Sequence, residues 1–188
     1  MGRSSYNALE EGKSYFLTSS AIHWLPLFAV PALAEIVIDS LNFLQQQERI
    51  TIHAWVLMET HLHLVATSQD MSGEMRKAKS YTARRIVDCL KKDGPTFLLK
   101  QLQFFRKRHK DQQAYQVWQE GIHPKLILDE RILEKTIRYV HYNPVKRGYV
   151  DKPEEWRYSS ARDYSGKEGL VDIERLGGVG DNRDGERI

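Results

Sequence analysis

Two histidines in the segment METHLHLVA are the first residues whose type and spacing point to chemistry. On a β-strand alternate side chains share a face, so His61 and His63 would lie side by side while Leu62 and Leu64 face the other way. Two imidazoles on one face make half of a metal site, and they suit Mn²⁺ or Zn²⁺ better than Mg²⁺, which prefers oxygen ligands. A histidine pair that only hydrogen-bonds on a half-exposed sheet is an equal alternative at this point.

A tyrosine and an asparagine in the segment YVHYNP could supply the rest of such a site. Tyr139 and Asn143 are four residues apart and therefore share one face of a helix, with a phenol beside an amide oxygen. Tyrosine is a weak nucleophile at neutral pH because its ordinary pKa is about 10, so it needs a metal ion that polarises the target phosphate. Packing of Tyr139 and Tyr142 against a core is the simpler explanation of isolated tyrosines.

The strands and helices that must position these residues follow from hydrophobic periodicity. Strands are predicted at residues 13–20, 50–58, 61–68 and 115–119, and the second and third of these pair as a hairpin around Glu59 and Thr60. Helices are predicted at residues 32–47, 73–92, from 96 towards 110, and 129–143, where Pro144 ends the last one. This order predicts an α+β fold in which helices pack on one face of an antiparallel sheet.

Length and composition predict one globular domain. The chain has 188 residues, of which 41% are hydrophobic and 28% charged. We assign residues 1–164 to this domain and the Gly-rich, charged residues 165–188 to a flexible C-terminal tail. A single cysteine, Cys89, and a polar start without an apolar signal core favour the cytoplasm. The most apolar stretch, residues 21–38, contains two prolines, a histidine and a glutamate, which argues against a membrane span.

Positive charge is concentrated in the middle of the chain. The whole chain has 28 Lys and Arg against 25 Asp and Glu, a net charge of +3, yet residues 76–110 hold twelve Lys or Arg and only two acidic residues. Because each cation placed on a phosphate releases condensed counterions, such a block suits polyanion binding. A solvated helix surface is the plainer explanation of a charge run by itself.

Three features together carry a resemblance to a known family: the HLH strand, the basic helical middle, and the segment RYVHYNPVKRGYV followed by PEEWRYSS. Over residues 13–164 the chain resembles the REP-associated tyrosine transposases, which belong to the single-tyrosine HUH endonucleases and the insertion-sequence transposase superfamily. The resemblance implies a ferredoxin-like α+β core and nicking of single-stranded DNA that depends on Mg²⁺ or Mn²⁺. It also implies strand transfer through a covalent 5′-phosphotyrosine intermediate with a free 3′-hydroxyl.

The resemblance assigns roles to individual residues. His61 and His63 match the metal-binding histidines of the family, Tyr139 matches the nucleophile, and Asn143 matches the polar third ligand one helical turn later. Tyr142 is the competing nucleophile, but it directly precedes Asn143 and faces elsewhere on the helix. The chain departs from the family before the histidines, where a proline followed by Asn, Asp or Glu is common and this chain has Glu-Thr.

The resemblance also implies a partner, namely repetitive extragenic palindromes that fold as hairpins of single-stranded DNA. The basic helical face is expected to grip the hairpin backbone through Arg76, Lys77, Lys79, Arg84, Arg85, Arg106, Lys107, Arg108 and Lys110. We expect a monomer, with a dimer as the alternative, in the bacterial cytoplasm at the nucleoid. A regulator that binds hairpins without cutting and an RNA-binding protein with a structural metal are the rival functions.

The remaining histidines and tryptophans receive no catalytic role. We assign His23, His53, His109, His123 and His141 to packing or surface positions. We assign Trp24, Trp55, Trp118 and Trp156 to the core in preference to base stacking, although one exposed aromatic side chain near the basic helices could stack an unpaired base.

Overall fold

A four-stranded antiparallel sheet is the central element of the protein in a computed structural model, which describes residues 9–106 and 114–175. Its strands are β1 (Lys13–Ser20), β2 (Thr51–Leu57), β3 (His61–Ser68) and β4 (Lys125–Leu126), in the order β2-β3-β1-β4. The helices are α1 (Pro31–Gln46), α2 (Met71–Lys92), α3 (Thr96–Phe104), α4 (Glu130–Lys146) and α5 (Ala161–Tyr164). None of the helices in these ranges combines the length and apolar character that a bilayer span requires. The predicted α+β class with an antiparallel, ferredoxin-like sheet is confirmed.

The pairing of β3 with its two neighbours determines the face on which the histidines lie. Thr18 of β1 and Val56 of β2 both lie opposite His63. β2 and β3 form the predicted hairpin, with residues 58–60 between them. Because side chains alternate along a strand, His61 and His63 share one face of the sheet.

Helices α1 and α2 cover the opposite face of the sheet. Leu17 of β1 and Leu64 of β3 point into this layer, where they join a core that includes Leu41 of α1 and Ile86 of α2. The apolar residues of α1 repeat at the helical period, and Pro31 starts the helix at a position where its missing N–H is not needed. This layer holds the larger of the two apolar cores.

Helix α4 covers the face that carries His61 and His63. Its buried Leu133, Ile137 and Val140 pack on β2 and β3 in a second apolar core. The prediction that helices pack on one face therefore holds for α1 and α2 but does not extend to α4. The reason is that β2 and β3 bury nearly every side chain, so both of their faces need a cover.

Helix α4 also continues past the proline that was predicted to end it. Pro144 lies inside the helix, which runs to Lys146, and Asn143 lies in the final turn as predicted. A proline removes one backbone hydrogen-bond donor from a helix. In the last turn of α4 this loss affects few hydrogen bonds, so the helix continues past Pro144. Arg147 N still donates to Asn143 O at 3.2 Å, so the last turn closes.

The segment around Trp118 is not the strand that its composition predicts at residues 115–119. Trp118 forms only an isolated bridge with Ala21, and the neighbouring edge of β1 pairs instead with β4. Because β1 ends at Ser20 and the chain then enters a short 3₁₀ turn, the ladder does not extend to this segment. The basic helix predicted from residue 96 towards 110 ends at Phe104 as α3, and residues 107–113 lie outside the described ranges.

The first part of the predicted C-terminal tail packs against the sheet. Glu174 N donates to Ile52 O of β2 at 2.8 Å, and Val171 is buried in the core on the α1 side. Residues 165–175 therefore extend the domain beyond its predicted boundary. Residues 176–188 lie outside the described ranges.

Candidate active site

His61 and His63 lie side by side on β3, with ring centroids 4.6 Å apart. Thr60 Oγ1 lies 2.9 Å from Nδ1 of His61, and Thr18 Oγ1 lies 2.9 Å from Nδ1 of His63. When each Nδ1–H donates to its threonine, the lone pair of Nε2 is left for a ligand, and no described residue hydrogen-bonds to either Nε2 atom. Anchoring of one ring nitrogen in this way is typical of histidines that bind a metal through the other.

Both histidines are neutral at pH 7. The pKa of His61 is lowered from 6.5 to about 4 and the pKa of His63 to about 3, mainly by burial, and the positive charge of Arg147 contributes to both shifts. Neutral imidazole is the form that coordinates a metal. Protons therefore do not compete for these two nitrogens near neutral pH.

Tyr139 of α4 lies against the histidine pair. Its ring centroid is 5.6 Å from that of His63 and 5.8 Å from that of Phe16. Val140 anchors the adjacent helix face in the core, which leaves Tyr139 at the margin with 43% of its surface exposed. Tyr142 is equally exposed, but among the described residues it is Tyr139 whose ring contacts His63. Tyr139 is therefore both close to the pair and accessible to a substrate.

Asn143 lies one helical turn beyond Tyr139 and is 8% exposed. Its Nδ2 donates to Tyr139 O at 3.4 Å, which leaves the amide oxygen as the acceptor of that side chain. The described residues contain no group of three His, Cys, Asp or Glu side chains that could hold a metal ion, so the histidine pair needs a ligand of another type. An amide oxygen is such a ligand and suits Mg²⁺ or Mn²⁺. The roles of His61, His63 and Asn143 as ligands stay predictions.

Three cations that the sequence analysis missed lie around the pair. Lys146 Nζ lies 5.3 Å from the centroid of the Tyr139 ring, and the positive charges of Arg147 and Lys125 contribute to the low pKa of His63. Arg147 follows Asn143 by four residues, so helical spacing alone could have placed it near the site. Lys125 gives no such signal, because it reaches the site only through the pairing of β4 with β1.

Glu59 and Thr60, which precede the histidines, both contact residues of the site. Thr60 holds His61, while Glu59 accepts a hydrogen bond from the Tyr149 hydroxyl and lies 3.8 Å from Nη1 of Arg147. The Tyr149 ring stacks on Trp156, with centroids 5.6 Å apart. The chain after α4 is thereby tied to the hairpin turn that precedes the histidines.

The PEEWRYSS segment connects α4 to strand β2 of the sheet. Ser160 Oγ accepts from Trp55 N of β2 and lies 2.9 Å from Nε2 of His141 in α4. His141 is buried, and burial lowers its pKa to about 4. His141 thus has the packing role predicted for it, and through Ser160 it connects α4, the helix that carries Tyr139, to β2.

Of the basic block predicted to bind DNA, Arg76, Lys77, Lys79, Arg84 and Arg85 lie on α2, in the layer opposite the histidines, and Arg106 follows the end of α3. Arg76, Arg84 and Arg85 are exposed on α2, while Lys77 pairs with Glu74 at 2.8 Å. Lys79 Nζ donates to the backbone oxygens of Gln119 and Gly121, so it supports that loop. Arg106 is half-buried, and Lys107, Arg108, His109 and Lys110 lie outside the described residues. DNA contact by this block stays a prediction.

The four tryptophans differ in burial. Trp55 and Trp118 are in the core as predicted, and Trp156 is half-buried with its Nε1 donating to Leu57 O at 3.0 Å. Trp24 is different, because 52% of its surface is exposed. Its indole ring contacts His61 edge to face, with centroids 5.4 Å apart. The assignment of Trp24 to the core was therefore wrong.

Sequence similarity to known proteins covers part of the chain. No family model matches it. A Haemophilus influenzae protein named "Putative REP-associated tyrosine transposase" is 40% identical over 58 residues, which is 29% of this chain. The matched stretch spans about a third of the length of that relative, 33%. The resemblance identified from the motifs is confirmed.

Similarity in three dimensions covers the whole chain. The solved structure of a REP-associated tyrosine transposase bound to a REP hairpin matches with a TM-score of 0.62 and 22% identity, over 100% of this chain and 99% of that one. The structure of a Deinococcus radiodurans protein described as a "putative transposase" has a TM-score of 0.42 and 18% identity, over 74% of this chain and 94% of that one. At 22% identity, the first match shows that the two proteins share a fold.

Proposed function

We propose that the protein is a metal-dependent endonuclease and strand transferase for single-stranded DNA that acts on hairpin-forming palindromic repeats. The observation that carries this proposal is the contact of Tyr139 with His63, whose Nε2 atom is left for a ligand beside that of His61. The fold shared with a transposase bound to a REP hairpin supports the choice of substrate. The bacterial cytoplasm, at the nucleoid, is the corresponding location.

In this mechanism the Tyr139 hydroxyl oxygen attacks the phosphorus of one phosphodiester. The bond from phosphorus to the 3′ oxygen breaks, and the phenolic proton is lost as the 3′ oxygen gains one, which leaves a 5′-phosphotyrosine and a free 3′-hydroxyl. His61, His63 and Asn143 would hold Mg²⁺ or Mn²⁺, which polarises the phosphate when bound. Lys146, Arg147 and Lys125 offset the negative charge that develops on the phosphate.

The phosphotyrosine allows rejoining without a nucleotide cofactor. It retains the energy of the cleaved phosphodiester, so attack by another 3′-hydroxyl reverses the first step on a new strand. Tyr139 then leaves with a proton, and the enzyme returns to its starting state. This balance of bonds suits transposition or rearrangement of the repeats.

The nucleophile can be tested directly with labelled hairpin DNA from palindromic repeats of the protein's own genome. The protein is incubated with this DNA and Mg²⁺ or Mn²⁺ and run on a denaturing gel. We expect a covalent adduct that Tyr139→Phe abolishes and that Tyr142→Phe, the matched control on the same helix, retains. Adduct loss in Tyr142→Phe alone would contradict the assignment.

The same experiment separates the rival functions. Hairpin binding without adduct or cleaved strand in either metal would favour a regulator that binds without cutting. Competition by RNA as effective as competition by hairpin DNA would favour an RNA-binding protein with a structural metal. Absence of hairpin binding would remove the proposed substrate.

A further inference from the structure

Trp24 is a large aromatic side chain left open to solvent beside the candidate active site. Trp24 exposes 52% of its surface, and its ring contacts that of His61 with centroids 5.4 Å apart. A single exposed aromatic ring needs no explanation by itself, but one that contacts a candidate active site can stack on a base of a bound strand. The proposed function supplies such a strand, whose phosphate would lie at the histidine pair.

The backbone at Trp24 is held in a conformation that tryptophan rarely adopts. His23 has φ 48° and Trp24 has φ 56°, both in the left-handed region that favours glycine. The turn is held by Trp24 N donating to Ala21 O at 3.1 Å and by Ile22 N donating to Val117 O at 2.7 Å. A strained and anchored turn presents the indole ring at a fixed position instead of letting it collapse onto the core.

Further aromatic side chains extend the aromatic surface from Trp24 away from the histidine pair. His23, exposed next to Trp24, stacks on Phe105 with centroids 4.2 Å apart, and Phe105 contacts the exposed Phe104 at 5.2 Å. A recess of about 390 Å³ lies between this turn and Gln119, whose amide can both donate to and accept from a base edge. The aromatic surface therefore extends from the histidine pair to the end of α3.

We propose that Trp24 is a stacking platform for an unpaired base next to the phosphate held at His61 and His63, and that His23 and Phe105 receive the following bases. This inference rests on the proposed function and names the residues that bind the single-stranded part of its substrate. Stacking on aromatic rings tolerates every base, because each base has a π-face. Trp24 therefore orients the strand at the cleavage site, while sequence reading belongs to polar groups around the recess.

The test compares two DNA ligands in a Tyr139→Phe background, in which the strand stays uncut. One ligand is a hairpin with a single-stranded extension that carries 2-aminopurine at successive positions, and the other is the same hairpin with a blunt end. Trp24→Ala is compared with Trp24→Phe, which keeps a ring. Phe43→Ala, which removes an equally exposed aromatic ring at 52% from α1 in the layer opposite the histidines, is the matched control.

We expect Trp24→Ala to weaken binding of the extended hairpin by about tenfold or more, in line with other base–aromatic stacks, and to relieve 2-aminopurine quenching at one position. Trp24→Phe keeps most of the affinity, Phe43→Ala keeps all of it, and the blunt hairpin binds every variant alike. Unchanged affinity in Trp24→Ala, or an equal loss for both hairpins, overturns the stacking role and leaves the proposed function standing. Failure of the parent to bind either hairpin overturns both.

Discussion

At the scale of single residues, two threonine hydroxyls decide how the histidine pair is presented. Thr18 and Thr60 each occupy one Nδ1 atom, which fixes the orientation of each imidazole ring and leaves Nε2 for a ligand. Such partners of metal-binding histidines affect affinity although they never touch the metal. The hydroxyl of Thr18 comes from β1 and not from the histidine strand, so the site depends on correct pairing of the two strands.

The contribution of Thr18 can be measured without any DNA. Thr18→Val removes the hydroxyl but keeps the shape and the strand preference of the side chain, and we expect it to weaken Mn²⁺ binding by about 10- to 100-fold. Mn²⁺ titration by calorimetry or by electron paramagnetic resonance checks this value. Ser14→Ala, which removes a hydroxyl from the same strand, is the control. Equal affinities in the two variants would show that the Thr18 bond does not support the site.

Residue types and spacing predicted the histidine pair but not its surroundings. The shared face of His61 and His63 follows from the two-residue period of a strand, which tertiary structure does not change. The exposure of Trp24 could not be predicted from the sequence, because a tryptophan in the most apolar stretch of a chain is expected to pack inside. The position of Lys125 near the site could not be predicted from the sequence either, since it results only from the pairing of β4 with β1.

At the scale of elements, α4 determines where Tyr139 lies. Asp129 begins this helix as its N-cap, with Oδ1 accepting from Ile132 N at 2.8 Å. A hydrogen bond from the Tyr149 hydroxyl to Glu59 holds the chain just past the C-terminal end of α4. A hydrogen bond between His141 and Ser160 holds the helix at His141. The helix that carries Tyr139 is therefore anchored at its start, at His141 and just past its end.

The N-cap of α4 makes a measurable contribution to stability. We expect Asp129→Ala to lower the free energy of unfolding by about 1 kcal/mol, because one backbone donor of the first turn loses its partner. Urea unfolding measured for Asp129→Ala and for Asp129→Asn, which keeps a capping oxygen, checks this. If the two variants unfold at the same urea concentration, the cap is not what stabilises the start of α4.

Elements with a strong period were predictable, and those set by their neighbours were not. The limits of β3 agree with the prediction, and those of α1 agree within one residue, because each element shows its period clearly in the sequence. The short β4 has no such pattern and exists only because an edge of β1 is free to pair. Pro144 was predicted to end α4, but a proline in the last turn interrupts too little to stop the helix.

At the scale of the whole molecule, the sheet separates the two surfaces to which the proposed function assigns cleavage and hairpin binding. The histidines, Tyr139 and the three nearby cations share the face covered by α4, whereas the exposed arginines of α2 belong to the other layer. Under the proposed function, a hairpin bound by α2 would therefore reach the histidines around an edge of the sheet. The Trp24 turn follows directly from the end of β1 and offers a path along which single-stranded DNA can do so.

Three buried histidines also make the whole fold sensitive to acid. Burial lowers the pKa values of His61 and His141 to about 4 and that of His63 to about 3, against 6.5 in the unfolded chain. Between these values the unfolded chain binds protons that the folded chain does not. Their contribution to stability is therefore fully present above pH 6.5 and is lost as the pH falls through that window.

His141 allows this acid sensitivity to be tested without disturbing the candidate metal ligands. With a folded pKa of about 4 against 6.5, its protonation makes the protein about 2 kcal/mol less stable at pH 4.5 than at pH 7. His141→Gln keeps a polar side chain that can reach Ser160 but removes the titration, so we expect it to lose about 2 kcal/mol less than the parent over the same range. Urea unfolding of both proteins at the two pH values measures the difference, with His123→Gln, an exposed histidine, as the control. If His141→Gln and the parent lose stability equally, His141 is not a group whose burial opposes protonation.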